Sequence, residues 1–270
     1  MRFFTLAFAL VAALIALQGA ASAAPDAAGV TLVPFASPES VQRLARSQHR
    51  VDFFHLANHF ESQSNKAFCG PTSSVIVLNA LRSDNDRIPK PEDPSLLGDD
   101  VRKLVPPGFD PLFHRYTQND FFTPQVEQVK SRLEVFGKPR APGGPGRPDP
   151  GIQLRQLAAM LTAHGLEVTV RVVDDHLDEA TIRRELTDNL GAEGNYVIIN
   201  YHRPALGQAG GGHISPLGAY DQASDSFLIL DVNPNGQTWV WAPAGALIKA
   251  MRTKDVVENR GYLLLKEGSR

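Results

Sequence analysis

Cysteine is almost absent: Cys69 is the single one in 270 residues. One thiol cannot close an intramolecular disulfide, so stability has to come from the core. An excess of charge is missing too, since 27 Lys and Arg against 29 Asp and Glu leave a formal net charge of −2. That removes the electrostatic case for a nucleic-acid partner or an anionic membrane and leaves small molecules or peptides as the expected ligands. The glycine run Gly210-Gly211-Gly212 lacks a following Lys-Ser/Thr, which excludes a phosphate loop. His55 and His59 stand four apart, a spacing that can set two imidazoles on one helix face, but no third ligand cluster accompanies them and no metal site is assigned.

Long apolar runs are also scarce. The longest, Phe3 to Leu17, follows the basic start Met1-Arg2 and precedes the small-residue stretch Ala21-Ser22-Ala23. It is short for a membrane span, and the three parts together read as a secretory signal peptide over 1–23. The expectation is a periplasmic or secreted protein with no stable membrane association once that segment is cleaved. An Ala/Pro/Gly-rich linker over 24–37 and one large domain over 38–270 follow. The stretch 138–150, with five prolines and three glycines, reads as a surface insertion. A free thiol in an oxidising compartment invites oxidation unless it is buried or useful.

What is present is arranged around Gln63-Ser64-Asn65-Lys66-Ala67-Phe68-Cys69-Gly70-Pro71, which runs into the apolar pattern Val75, Ile76, Leu78, Leu81. This predicts a buried helix that begins at Cys69 and ends near Arg82-Ser83-Asp84. A lone Cys is commonly just a small buried hydrophobe. At a helix N-terminus, however, free N–H groups and the helix dipole favour the thiolate, which is the reactive form. Residues 83–119 read as a long, poorly ordered connection. Thr123-Pro124 predicts a helix of about three turns that ends at Gly137, Ile152 to Leu161 another, and Asp178 caps a third. Alternating residues at 166–172 predict a strand, and further strands are expected at 196–201, 213–220, 227–232, 238–241 and 262–265. Helices first and then a mostly antiparallel sheet is the pattern of an α+β protein.

Two of these strands carry candidate partners for the thiol, His213 and Asp231. If residues 220 and 224 pair across Asp221-Gln222-Ala223, that register carried along the hairpin sets His213 directly opposite Asp231. A carboxylate beside the imidazole fixes its tautomer and supports the imidazolium, while the other ring nitrogen activates the thiol. Gln63 can donate its side-chain amide to a developing oxyanion, with the Cys69 N–H as second donor. The glycine run before His213 suits close approach of a substrate backbone at Gly212.

Several stretches together resemble the catalytic domain of the phytochelatin synthase family, especially its short prokaryotic members. They are Phe68-Cys69-Gly70 with Val77-Leu78-Asn79-Ala80-Leu81, Tyr116 to Phe122, Gly194 to Tyr201 with Arg203, Gly211-Gly212-His213-Ile214-Ser215-Pro216-Leu217, and Leu230-Asp231-Val232. The resemblance implies a papain-like cysteine-protease fold, with a helical lobe bearing the nucleophile on a central helix packed on a mostly antiparallel sheet. It implies a Cys69-His213-Asp231 enzyme that cleaves the Cys–Gly bond of glutathione through a γ-glutamylcysteinyl thioester, releases glycine and passes the acyl group to water or to a second glutathione. By position it points to Arg203 and Arg260 as substrate contacts. No cofactor is required, heavy-metal ions such as Cd and Zn enter as glutathione thiolates, and a homodimer is compatible with the reading. The chain departs from the family at Pro71-Thr72 and at Asn233-Pro234-Asn235-Gly236, and it ends at Arg270 without the family's Cys-rich extension. The rival readings are a papain-like peptidase or amidase for another small peptide, and a non-catalytic module that binds thiol peptides or metal thiolates.

Overall fold

The computed structural model describes residues 29–138, 149–235 and 238–269. The expected signal peptide and most of the Pro/Gly-rich insertion lie outside them. Among the described residues no helix is long and apolar enough to cross a membrane.

The strands are β1 (Val33–Pro34), β2 (Leu166–Val172), β3 (Asn195–His202), β4 (Gly212–Asp221), β5 (Ser226–Ile229), β6 (Val240–Pro243) and β7 (Gly261–Glu267). They form one seven-stranded sheet in the order β1-β6-β5-β4-β3-β7-β2, and every neighbouring pair is antiparallel. The helices are α1 (Pro38–Arg46), α2 (Val51–Asn58), α3 (Cys69–Arg82), α4 (Asp99–Arg102), α5 (Pro124–Val129), α6 (Arg132–Val135), α7 (Leu154–Ala163), α8 (Glu179–Leu190) and α9 (Ala244–Met251). The chain is therefore α+β, as its pattern implied.

Alternation along the central strands divides the core in two. Ile198, Leu263 and Leu265 pack with Leu56, Val75 and Leu157 from α2, α3 and α7. Val197, Ile199 and Tyr262 pack with Leu186 and Ile248 from α8 and α9. Because β3 is covered on both faces, Tyr196 to Tyr201 are all buried, which is why that strand is a near-continuous apolar run. Helix α3 is buried almost throughout, and it is tied to β4 by Ser73 Oγ, which lies 3.2 Å from Ile214 O and 2.8 Å from Cys69 O.

Several expectations need correction. Residues 83–119 are anchored near their far end, though 97–113 are mostly exposed: the Asn79 side chain bonds both Tyr116 O and Tyr116 N at 2.9 Å, Arg82 Nη1 donates to the Tyr116 hydroxyl at 2.7 Å, and Thr117 Oγ1 donates to Asp93 Oδ2 at 2.9 Å. The single helix expected over 123–137 is split, because Lys130 is extended (φ −156°) and Ser131 starts α6 with its own capping box. Helices α2 and α9 were not anticipated. Strand β5 stops at Ile229, which leaves Asp231 just beyond its end.

Hairpin register differs most. The connection is a 3-10 turn over Gln222–Ser224 closed by Asp225 at φ 44°, so Tyr220 pairs with Phe227 and not with residue 224. A bulge between Leu217 and Ala219 then shifts the register by one. Beyond it Leu217 faces Ile229 and Leu230 N bonds Pro216 O at 3.0 Å, a register that brings Asp231 level with Ser215. His213 is consequently a diagonal neighbour of Asp231 on the same face, not its direct opposite. Without the bulge the alternation would send the two side chains to opposite faces. At its centre, a Cβ on Gly218 would lie 3.1 Å from the Leu230 side chain.

Candidate active site

Cys69 is the first residue of α3, and Phe68 before it provides no side-chain cap. Pro71 has no N–H and Thr72 N bonds Phe68 O at 2.9 Å, so among the first-turn groups it is the Gly70 N–H that bonds the thiol. Cys69 is 9% exposed and lies on the wall of a cavity of about 700 Å³ that Gly212, His213, Asn200 and Arg260 also line.

From β4, the His213 ring bonds the Cys69 thiol. Its Nε2 donates to Asp231 Oδ1 at 3.0 Å, which leaves Nδ1 for the sulfur. Burial by itself would raise the Cys69 pKa; the bond to His213 and its charge, with backbone bonds from Ile214 and Gly70, outweigh this and hold the thiol below its usual range. Burial would likewise lower His213, yet its bonds to Asp231 and Cys69 raise it. Both directions favour a thiolate beside an imidazolium.

Asp231, 2% exposed, collects four donors. Oδ1 accepts from Arg203 Nη2 at 2.8 Å, His213 Nε2 at 3.0 Å and Asn233 N at 2.9 Å, and Oδ2 accepts from the Tyr201 hydroxyl at 3.1 Å. Burial pushes this carboxyl up, but His213, Arg203 and the Asn233 N–H more than offset it and keep it below the usual carboxylate range. The Tyr201 ring stands edge-on to the His213 ring at 5.7 Å.

The remaining predicted residues divide. Arg260 and Gly212 both reach the cavity. Arg260 Nη2 bonds Asp255 Oδ1 at 2.9 Å and Nη1 bonds Thr253 Oγ1 at 3.2 Å, while Nε is buried without a protein partner. Burial draws Arg260 below the usual arginine range against the opposing pull of Asp255. The Arg260 guanidinium lies against Gly212: a Cβ there would come within 2.7 Å of Arg260 Nη2 and push that side chain aside. Arg203 corrects its expectation: it is 3% exposed and engaged with Asp231, not turned to the cavity. Gln63 is held by its backbone N to Val232 O at 2.8 Å. Its side-chain Nε2 donates to Asn65 O at 2.7 Å, and Oε1 is buried without a partner. One of its two amide protons is thereby engaged away from Cys69.

Sequence reasoning missed Tyr201, Asn200 and Asp255 as parts of the site. Tyr201 had a readable signal, because β3 pairs with β4 and sets Tyr201 opposite His213. Asn200 and Asp255, joined at 3.1 Å, meet only through tertiary packing. For metals, Glu92, Asp110 and His114 bring ligand atoms within 4.8 Å of one another among the described residues, all on the exposed surface.

Comparison with known proteins gives one consistent result. The family described as phytochelatin synthase matches residues 28–93 and 148–262. A glutathione gamma-glutamylcysteinyltransferase 1 of Triticum aestivum is 30% identical over 88% of this chain and 41% of its own length. The glutathione gamma-glutamylcysteinyltransferase 3 of Lotus japonicus is 28% identical over 87% of this chain and 42% of its own. That of Schizosaccharomyces pombe is 23% identical over 80% and 43%. The chain thus spans less than half the length of these relatives.

Proposed function

Because the chain belongs to the phytochelatin synthase family, we propose that it is a cysteine enzyme of papain-like design acting on glutathione. The observation that carries this reading is the Cys69-His213-Asp231 relay at the wall of the cavity, with the thiol on a helix N-terminus. The names of the relatives supply the substrate class, glutathione, and the transferred group, γ-glutamylcysteinyl.

In the proposed reaction the Cys69 thiolate attacks the carbonyl carbon of the Cys–Gly bond. The oxyanion that forms is met by the Cys69 backbone N–H, with the second amide proton of Gln63 as the other donor. As the C–N bond breaks, His213 Nδ1 gives its proton to the departing glycine amine, and a γ-glutamylcysteinyl thioester remains on Cys69. Water or the amine of a second glutathione then attacks the thioester, and His213 takes a proton from it. The C–S bond breaks and the Cys69 thiolate returns. Asp231 keeps the Nε2–H tautomer and the ring orientation throughout. Arg260, whose Nε is unpartnered, suits a substrate carboxylate at the polar end of the cavity. Hydrolysis is favoured over polymer synthesis. Heavy-metal ions are cargo in this reading, carried as glutathione thiolates. A periplasmic or secreted location is proposed from residues 1–23 alone.

The test is incubation of the protein with reduced glutathione while free glycine, γ-glutamylcysteine and longer oligomers are followed. Glycine release that falls to background in Cys69→Ala is the expected outcome; no release by the unmodified protein, or undiminished release by Cys69→Ala, would sink the mechanism. Dipeptide without oligomer selects hydrolysis.

A further inference from the structure

Arg203 and Tyr201 are not on the cavity wall, yet Arg203 Nη2 and the Tyr201 hydroxyl both donate to Asp231, while Arg203 Nη1 is buried without a partner. Their placement is specific. Tyr201 lies on β3 opposite His213, and Arg203 opens the 3-10 turn Arg203–Leu206 that follows the strand. Arg203 N bonds Gly211 O at 3.0 Å and Gln208 N bonds Arg203 O at 3.1 Å, so the loop before β4 closes over the arginine. Gly210, at φ 111°, is the residue that lies against it: a Cβ there would be 3.3 Å from Arg203 Cδ.

Charge counting shows what this arrangement does. A thiolate on Cys69, an imidazolium on His213 and a carboxylate on Asp231 carry a net charge of about −1 in a buried site, which is costly. The Arg203 guanidinium brings the cluster to neutrality from the side away from substrate. We propose that Arg203 and Tyr201 are positioning residues of the Cys69–His213 pair: they clamp the Asp231 carboxylate on the face it shares with His213, and Arg203 supplies the second buried cation that lets thiolate and carboxylate coexist.

The other charged groups around the pair are few. Lys66, Asp149, Asp255 and Arg260 line the same cavity; Cys69 faces the ring from α3, and Asp231 bonds its Nε2 and Arg203 in turn. Removing the Arg203 charge leaves an uncompensated anion in the cluster. The thiolate is then disfavoured and its formation moves to higher pH.

The proposal rests on Cys69 being the nucleophile, but its test needs no glutathione turnover, so its failure can be told from a failure of the substrate assignment. Because Cys69 is the single cysteine, the rate of alkylation by iodoacetamide against pH, in the full chain, reports on that thiol alone. Arg203→Met should move the midpoint up by about one pH unit or more, the scale of a lost neighbouring charge, with little change in the plateau rate at high pH. Arg203→Lys, which keeps the charge, should restore most of the shift, and Tyr201→Phe should move the midpoint by a smaller upward step. A merely structural role would lower melting temperature without this ordered shift. An unmoved midpoint in folded Arg203→Met or Arg203→Gln overturns the proposal, and if neither arginine variant folds, an unmoved midpoint in Tyr201→Phe does so.

Discussion

The site has a strand-borne half and a loop-borne half, and they differ in how their polar atoms are satisfied. On the sheet side both His213 nitrogens are engaged, by Asp231 and Cys69, and Asp231 accepts four donors. On the loop side Arg260, which lines the cavity, keeps a buried Nε with no protein partner and Gln63 a buried Oε1, whereas the unmet atoms of the sheet side, Arg203 Nη1 and Ser215 Oγ, belong to residues off the cavity wall. A buried polar group with an unmet bond is costly, and at Arg260, on the cavity wall, a bound substrate can meet it. The difference teaches that proton handling is pre-built into the hairpin, whereas recognition is assigned to segments at the cavity rim. Changes on the sheet side, and at Gln63 as oxyanion donor, should therefore act on the chemical step, and changes at Arg260 on the cavity wall on affinity.

The largest effect is expected from Asp231→Asn. It removes the charge that supports the imidazolium and leaves Arg203 as a buried cation without its anion. Turnover in the glycine-release assay should fall about 100-fold or more, with KM within a few-fold of the original. Melting should drop as well, since breaking one partner of a buried pair costs about 3–5 kcal/mol. A rise in KM at unchanged kcat would break the comparison. Arg260→Met should show the reverse pattern. Losing one charge-assisted bond to a carboxylate is worth about 1.5–3 kcal/mol, so KM should rise by about tenfold or more while kcat changes far less. If kcat falls and KM holds, Arg260 takes part in the chemistry and the division is wrong.

The two halves were also unequally legible in the sequence. Cys69 at a helix start, His213 on a strand and Asp231 near the end of the next could all be placed from periodicity, because burial imposes periods of 3.6 and 2 that the residues must obey. The pairing of His213 with Asp231 was anticipated with the wrong register. The 3-10 turn at Gln222–Ser224 and the bulge at Leu217/Ala219 each shift the alignment, and neither leaves a periodic trace; parity survived because the shifts differ by an even number. The ion pair from Arg203 to Asp231 was not readable, since an arginine before Pro204 looks the same whether solvated or buried. The clasp of Asn79 on Tyr116 and the meeting of Asn200 with Asp255 depend on chain segments brought together only by packing.

The smallest effect on turnover is expected at a second buried aspartate, which sharpens what is particular about Asp231. Asp52 on α2 is 1% exposed, and its Oδ2 has no partner. Burial pushes its pKa up to about 9, the opposite direction to Asp231. Folded Asp52 therefore keeps its proton over a range in which the unfolded chain has released it. Stability is fully present below the ordinary carboxylate value near 3.8 and is lost as pH rises toward about 9, by about 1.4 kcal/mol per pH unit from this one group. Asp231 runs the other way, its contribution being lost only as pH falls below the usual carboxylate range. Asp52→Asn substitutes a neutral side chain of the same shape and removes the Asp52 slope. Its melting temperature, measured against the unmodified protein at pH 5 and pH 8, should compare more favourably at pH 8, with kcat and KM within about twofold, as expected of a change outside the site. An identical difference at the two pH values would mean that Asp52 is ionised in the fold, and the two aspartates would then belong to one class.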